Sequence, residues 1–544
     1  MRNRNQFNLS ETNALSARMG KLIPYYVRHL VPGDTIEIDS FIDSRFAPMQ
    51  APMMTQIDIK TWGFAVPYRL VWDDSQEFFT GVKKNGDPTD AVFPRAKYNS
   101  LPPGSTAEGL LVNNVLKDRL HIGELADYLD FAVNTSTPEQ SDYMEFFSQG
   151  HIPEHSMLEP RAYQMIFNEY FRDQNIDDPV QFQTDSFIYD FSSPRARDEY
   201  NELMQLRQKR WEKDVFTSAL PTPSMAQDVE IPINAEVVLS PNGVTASHQQ
   251  QWIDANGNVV TGSISQSSRV MSGSTPVNLD PNGTFDVISS GATIRELTKA
   301  RMLYQYLLDV SRGGFTRYKD WVKTLFGVNT ADARLQRPEY IGGGSQPVIV
   351  TDVVQTSETN ITSQGNLSGR AVSPSHKGHS FRYTATEHTI VMCIMCIMPK
   401  PSYGMGMPKR HRMFDRFDHY IPQFDHIGDE EIKRIELFNS PKAAQFFYDT
   451  FGYAPRYYDY KSAVNRVHGL FKSSLRYWTM ARFFNSNPAL SSQFLTVDDS
   501  LIDRPFFVQT SGDKNSSEQE HAYIEINNVV TAWRPMSKLS TPFV

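Results

Sequence analysis

DTIEIDSFIDSRFAPMQAPMMTQIDIKTWGFAVPYRLVW, residues 34–72, is the stretch on which the fold turns. Ile36 and Ile38 fall two apart, as do Ile57, Ile59, Thr61 and Gly63 after a turn through RFAPMQAPMM, and most of their neighbours are polar. Two-residue spacing puts successive side chains on one face of a strand, so both pieces read as half-buried β-strands. Pro48, Pro52 and Pro67 keep the pieces short. Short strands punctuated by Pro and Gly belong to a sandwich or barrel rather than a parallel α/β sheet.

Helices interrupt this pattern. Pro160 fits the first position of a helix whose face is Tyr163, Ile166, Phe167, Tyr170 and Phe171. The capping box Thr293-x-x-Glu296 opens another, continued by Ile294, Leu297, Tyr304 and Leu308 and stopped at Gly313-Gly314. Tyr318, Val322 and Leu325 form a third, short one ended by Gly327. Residues 240–290 differ: they are rich in Ser, Gly, Asn and Gln, with only Asp254, Arg269, Asp280 and Asp286 charged. Asn242-Gly243, Asn256-Gly257 and Asn282-Gly283 are hairpin-turn pairs, so the segment reads as an exposed insertion with little to bury.

The 544 residues include 40% hydrophobic and 12% aromatic residues, 33 Pro and 30 Gly, a globular composition tilted toward strands and turns. A net charge of −9 argues against a dedicated duplex-binding protein, whose domain would be strongly basic. The opening MRNRNQFNLSETN has no apolar core of a signal peptide. The apolar run of nine residues at 390–398 is far short of the ~20 that span a bilayer, so no membrane insertion is expected. Two cysteines cannot build a disulfide framework, and a reducing cytosol fits them. Residues 1–30 are locally basic, with Arg2, Arg4, Arg18, Lys21 and Arg28 against Glu11 alone, and read as an N-terminal arm preceding a single domain over 31–544.

Candidate chemistry is sparse, and the chain is not expected to be an enzyme. Cys393 and Cys396 lie in IVMCIMCIM, where a strand would point them to opposite faces, so they cannot share a metal. His376, His379 and His388 suit loops or interfaces better than a metal site. The run from Lys409 to His419 contains Arg410, His411, Arg412, Asp415, Arg416 and Asp418 and reads as mutually compensating surface charges. Glu430-Glu431 looks like a solvated helix start, and GGGS at 342–345 is a turn without the Lys-Ser/Thr of a phosphate loop. No catalytic, cofactor or metal residue is assigned.

Residues 455–485 are the exception. Arg456, Lys461, Arg466, Lys472, Arg476 and Arg482 stand against Asp459 alone, interleaved with Tyr457, Tyr458, Tyr460, Phe471, Tyr477, Trp478 and Phe483. Arginine for phosphate and rings for bases is the combination used by single-stranded nucleic-acid binders. Arg456, Lys461, Arg466, Lys472, Arg476 and Trp478 are therefore the candidate contacts, against the alternative that the rings are core and the arginines an interface.

Nine blocks carry a resemblance: ARMGKLIP (17–24), LVPGDT (30–35), RFAPMQAP (45–52), VPYRLVWDD (66–74), FNEYFRDQN (167–175), KDVFTSALPTP (213–223), DARLQRPEYIGGGSQPV (332–348), RVHGLFKSSLRYW (466–478) and AWRPMSKLSTP (532–542). In this order they resemble the major capsid proteins of the Microviridae, particularly the gokushovirus branch. The resemblance implies a mainly β fold, an eight-stranded antiparallel jelly roll with long helical and loop insertions. It implies sixty copies in a T=1 icosahedral shell around a circular single-stranded DNA phage genome, assembled in the bacterial cytoplasm into a virion capsid. The implied partners are further copies of the chain, the DNA, a scaffold protein, a small basic packaging protein, a DNA pilot protein and a host surface receptor. The 240–290 insertion, with Asn242, Gly243, Asn256, Gly257, Asn282 and Gly283 at its turns, becomes a surface protrusion meeting the host. The arm and the C-terminal RPMSKLSTPFV are candidates for strapping neighbours. The alternative from another class is a carbohydrate-binding jelly roll or a glycoside-active enzyme, which would need two convergent carboxylates.

Overall fold

The computed structural model describes residues 4–97, 154–222, 318–354, 367–374, 379–507 and 520–538, except 84, 191, 192, 426, 427 and 440, with short pieces of 119–133 and 235–306. Two compact units divide the chain: Met1–Pro223 with Gly313–Val544, and Ser224–Arg312.

The larger unit is a sandwich of two antiparallel sheets. Its strands are β1 (Asn5–Asn8), β2 (Glu11–Ala17), β3 (Ile23–Leu30), β4 (Thr35–Phe46), β5 (Ile57–Pro67), β6 (Glu339–Pro347), β7 (Ile349–Val354), β8 (Leu367–Ser373), β9 (His379–Thr384), β10 (Thr389–Pro399) and β11 (Ala522–Arg534). One sheet is four-stranded in the order β6-β5-β10-β3. The other is seven-stranded: β1 and β2 share one edge of β11, β4 follows, β8 and β9 share its far edge, and β7 lies outermost. Counting β1 with β2 and β8 with β9 as interrupted single strands gives the orders β2-β11-β4-β9 and β3-β10-β5-β6. Counted so, successive strands pass between the sheets except β5 and β6, which pair within one sheet, an arrangement of jelly-roll type with β7 added.

The alternation read in residues 34–72 explains how the sheets face each other. On β4, Ile36, Ile38, Ser40, Ile42, Ser44 and Phe46 are buried, opposed in register by Ala532, Val530, Asn528, Ile526, Ile524 and Ala522 of β11. The strand runs on through Arg45 and Phe46, into the stretch the sequence reads as a turn, because pairing with β11 holds them extended. On β5, Ile57, Ile59, Thr61 and Gly63 are all buried. The intervening face is covered too: Trp62 packs edge-on against Phe171 at 5.1 Å, Phe64 lies 4.7 Å from Tyr170, and Lys60 pairs with Glu212. Covering both faces of the four-stranded sheet explains the unbroken apolar run of β10, every residue of which is buried.

Residues 4–30, within the stretch expected to form an N-terminal arm, are not set apart from the sandwich. β1 and β2 supply one sheet and β3 the other, with Ile23, Tyr25, Tyr26 and Leu30 buried. Edge pairing with β11 outweighs the local charge on which an arm was expected.

The helix α1 (Leu158–Ile166) starts two residues before Pro160 and buries Leu158, Ala162, Tyr163 and Ile166. It continues as a single π-turn, Phe167–Phe171, which delivers Tyr170 and Phe171 to the outer face of β5. The Tyr163 hydroxyl donates to Leu22 O at 2.7 Å and accepts from Arg207 N at 3.0 Å. Pro194–Leu203 forms α2 and Tyr318–Phe326 forms α3, which ends at Gly327 as expected, its φ of +68° suiting glycine. The capping box at Thr293 and Glu296 and the stop at Gly313-Gly314 lie outside the described residues.

Within the smaller unit, Ala235–Leu239 pairs with Phe285–Ser289, and Trp252–Asp254 pairs with both Val259–Val260 and Val277–Leu279. Asn256-Gly257 thus lies between paired strands. The strands bounding Asn282-Gly283 pair elsewhere, as do those bounding Asn242-Gly243. All six of these turn residues lie outside the described set.

Candidate nucleic-acid interface

The basic, aromatic segment follows a hairpin, Asp429–Lys433 with Thr450–Pro455, and holds the short turns Tyr458–Lys461, Gly469–Lys472 and Arg476–Trp478. Its core is separate from the sandwich interior and gathers Phe216, Tyr403, Ile432, Phe451, Tyr458 and Phe494. Tyr457 adopts a left-handed backbone, φ +61°, held because its N–H donates to Glu430 Oε1 at 2.9 Å and its hydroxyl accepts from Ile421 N at 3.2 Å. Tyr458 donates to Glu436 Oε2 at 2.6 Å, and Arg412 to Oε1 at 2.6 Å; burial nonetheless raises the Glu436 carboxyl above its ordinary range. These two tyrosines are core, and only some rings of the segment face outward.

The six candidate contacts fall into distinct surroundings. Lys461 is tied to Asp425 Oδ1 at 2.7 Å and to Arg456 O at 3.0 Å. The Arg456 guanidinium lies over Tyr457 and Phe424, 5.0 and 5.9 Å from the ring centroids. Arg466 reaches Gly406 O at 3.5 Å, and burial presses its pKa down. Lys472 and Arg476 are exposed, with Arg476 Nε donating to Lys472 O at 2.9 Å and its guanidinium 4.4 Å from the Phe483 centroid. Trp478 is half-buried, its ring 6.4 Å from that of Phe471. Arg482 is no surface residue. It lies among Trp211, Tyr403, Phe484 and Phe494 and donates to Phe494 O at 2.5 Å.

Sequence reading missed Arg504, whose guanidinium lies 5.5 Å from the same Phe483 ring and donates to Ala481 O at 3.1 Å. It stands outside the basic segment, brought back by the chain through Ser492–Leu495 and Asp499–Asp503. No local spacing signals it.

Other expectations meet different outcomes. Cys393 and Cys396 are buried with thiol pKa values pushed up to about 12 by burial; the first lies beside Tyr25, the second beside Lys209, on opposite faces of β10. His379, expected in a loop or interface, is in the sandwich interior. Its ring nitrogens meet Thr61 Oγ1 at 2.6 Å and Gln346 Oε1 at 3.1 Å, while Gln346 Nε2 donates to Ser373 Oγ and Ile42 O. The pairing of β9 with β4 turns His379 inward, and the network satisfies it. His388 stacks on Phe79 at 4.0 Å, and His376 lies outside the described residues. Lys409 and Arg412 pair with Glu430 and Glu436, outside their own run, while Asp418 accepts from the N–H groups of Phe414 and Asp415. Glu430-Glu431 sits in a strand, not a helix start, because the hairpin pairs it with Tyr453 and Ala454. Among the described residues no three metal-ligating side chains converge, and no helix is long and apolar enough to cross a membrane.

A model of the family described as "Capsid protein (F protein)" matches residues 1–109 and 134–544. The chain is similar to "Capsid protein VP1" of Bdellovibrio phage phiMH2K, 28% identical over 94% of this chain and 92% of that protein. It is 27% identical to "Capsid protein VP1" of Chlamydia phage 1, over 94% of this chain and 92% of that one. The same name in Spiroplasma virus 4 matches at 27% over 99% and 95% of the two chains.

Proposed function

The chain belongs to the capsid protein (F protein) family, and from that premise we propose that it is the shell subunit of a small phage, sixty copies closing as a T=1 icosahedron around a circular single-stranded DNA genome. The observation carrying the assembly is the surface of the sandwich unit. Phe414 is 89% exposed, Tyr448 69%, Phe326 65% and Leu470 62%, and β7 turns Ile349, Val353 and Val354 outward on a sheet edge. A closed shell needs several contact surfaces on one subunit, to which such residues would contribute: isologous contacts at twofold axes, heterologous ones closing rings of three and five. Relatives described as capsid proteins give the carbohydrate-binding and glycoside-active alternatives no support.

Genome contact through Arg456, Lys461, Arg466, Lys472, Arg476 and Trp478 is local on this reading. Each kilobase shared by sixty subunits brings roughly 17 phosphates per subunit, while the subunit itself carries −9. Polyamines, metal cations or a small basic packaging protein supply the balance. A scaffold protein assists assembly in the bacterial cytoplasm, and a DNA pilot protein travels with the particle. The 240–290 insertion is the host-contacting protrusion, supported by its polar composition and by the separateness of Ser224–Arg312. Particles purified from infected cells and disrupted should release DNA that a single-strand-specific nuclease digests, together with excess cationic equivalents. Duplex DNA, RNA or no nucleic acid would overturn the reading.

A further inference from the structure

We propose that Arg476, Phe483 and Arg504, with Lys472 beside them, form a site for the phosphodiester backbone of a single-stranded nucleic acid. This deepens, and rests on, the reading of the chain as a genome-enclosing subunit, but it is carried by its own geometry. Two guanidinium groups lie 4.4 and 5.5 Å from the centroid of one phenyl ring. Among the described residues no carboxylate forms an ion pair with Arg476, Arg504 or Lys472, whereas Lys409, Arg412 and Lys461 each have one. Arg476 spends Nε on the Lys472 carbonyl, and Arg504 spends one terminal nitrogen on the Thr479 and Ala481 carbonyls. The remaining donors meet no described protein acceptor.

Like charges gathered around a ring are held against their own repulsion, the more so where Arg504 is half-buried, and the Asp498 charge offsets this only in part. Burial, and then the nearness of Arg476, press the Arg504 pKa below its ordinary value. An anion with several acceptor oxygens relieves this, and a phosphate suits the forked donors of two guanidiniums. The neighbouring surface narrows the class. Phe471 and Trp478 are partly exposed rings within the same two turns, and Leu470 is 62% exposed. Rings beside cations let bases stack while the phosphates are held, without sequence preference. Arg456 and Lys461, engaged with Tyr457, Phe424 and Asp425, fall outside the site.

The test is binding of fluorescent oligo(dT) to the purified full-length chain across a salt series. Wild type should bind. R476Q should weaken binding about tenfold and flatten the logarithmic salt slope by about 0.7, the value of one single-strand phosphate contact. R504Q should do the same, and R476K should keep the slope. K83Q, at a lysine paired with Asp90 outside the basic segment, should leave it unchanged. Thermal unfolding of each variant controls for folding; if R504Q is unstable, the exposed Arg476 alone decides. Binding by wild type that R476Q leaves intact would overturn this site while sparing genome contact elsewhere. No binding by wild type would overturn both, and displacement by inorganic phosphate at equal concentration would reassign the site to free phosphate.

Discussion

A chain carrying Gly406→Ala is expected to lose on the order of 4 kcal/mol of stability, the sum of left-handed strain and overpacking. Gly406 has φ +90°, and a Cβ built there lies 2.0 Å from Glu436 O and 2.5 Å from Glu436 C. The obstacle is backbone, so no side-chain rotation relieves it. Moving that backbone also disturbs the Glu436 carboxylate, buried and held by Arg412 and Tyr458. Gly469 supplies the internal control: its φ is +65°, but nothing lies within 4 Å of an added Cβ. Gly469→Ala should therefore show the conformational part alone, about 1–2 kcal/mol. Denaturant unfolding of both variants measures the difference directly. Equal losses would mean that the packing of residues 401–407 on the turn at Glu436 does not form.

Replacing residues 240–290 by a short Gly-Ser turn is expected to leave intact, DNA-filled particles whose adsorption to host cells falls by an order of magnitude or more. Ser224–Arg312 is a compact unit of its own, so the replacement, which takes away Phe285–Ser289 and its pairing to Ala235–Leu239, falls wholly within that unit. Loop length changes closure entropy only slowly, by about 0.6 kcal/mol per doubling, so folding should tolerate the change. Adsorption is the sensitive quantity, since exposed loops on a rigid scaffold commonly carry recognition, and each 1.4 kcal/mol of lost contact is about tenfold in affinity. The measurement is depletion of free phage from a host suspension over time. Failed assembly would make the segment a clamp between subunits, and unchanged adsorption would remove the receptor role.

Where alternation was strong, the sequence was a good guide. Ile36, Ile38, Ile57, Ile59, Thr61 and Gly63 are all buried, and the run around Cys393 and Cys396 is a strand covered on both faces. The shell-protein identity came from the quoted blocks rather than from physics, since composition alone reaches only a β-rich globular chain. Long-range pairing was what local reading could not see. β1 and β2 join β11 across more than five hundred residues, which turns a basic stretch into a sheet edge. His379 looks like a loop residue until β9 is set against β4 and its ring meets Thr61 and Gln346. Of the six candidate contacts, only tertiary structure separates Lys461, paired with Asp425, from Arg476, which has no ion pair among the described residues, or brings Arg504 to the Phe483 ring. Charge counting along the chain registers cations but not their partners.

The most direct test of the central claim is electron microscopy of the purified full-length chain, expressed alone and with a scaffold protein of the kind proposed. Closed particles with icosahedral symmetry, built of sandwich subunits that bury well over the ~1,000 Å² of a biological interface, are the expected result. A chain that stays monomeric, or forms only open and irregular aggregates under both conditions, would contradict it.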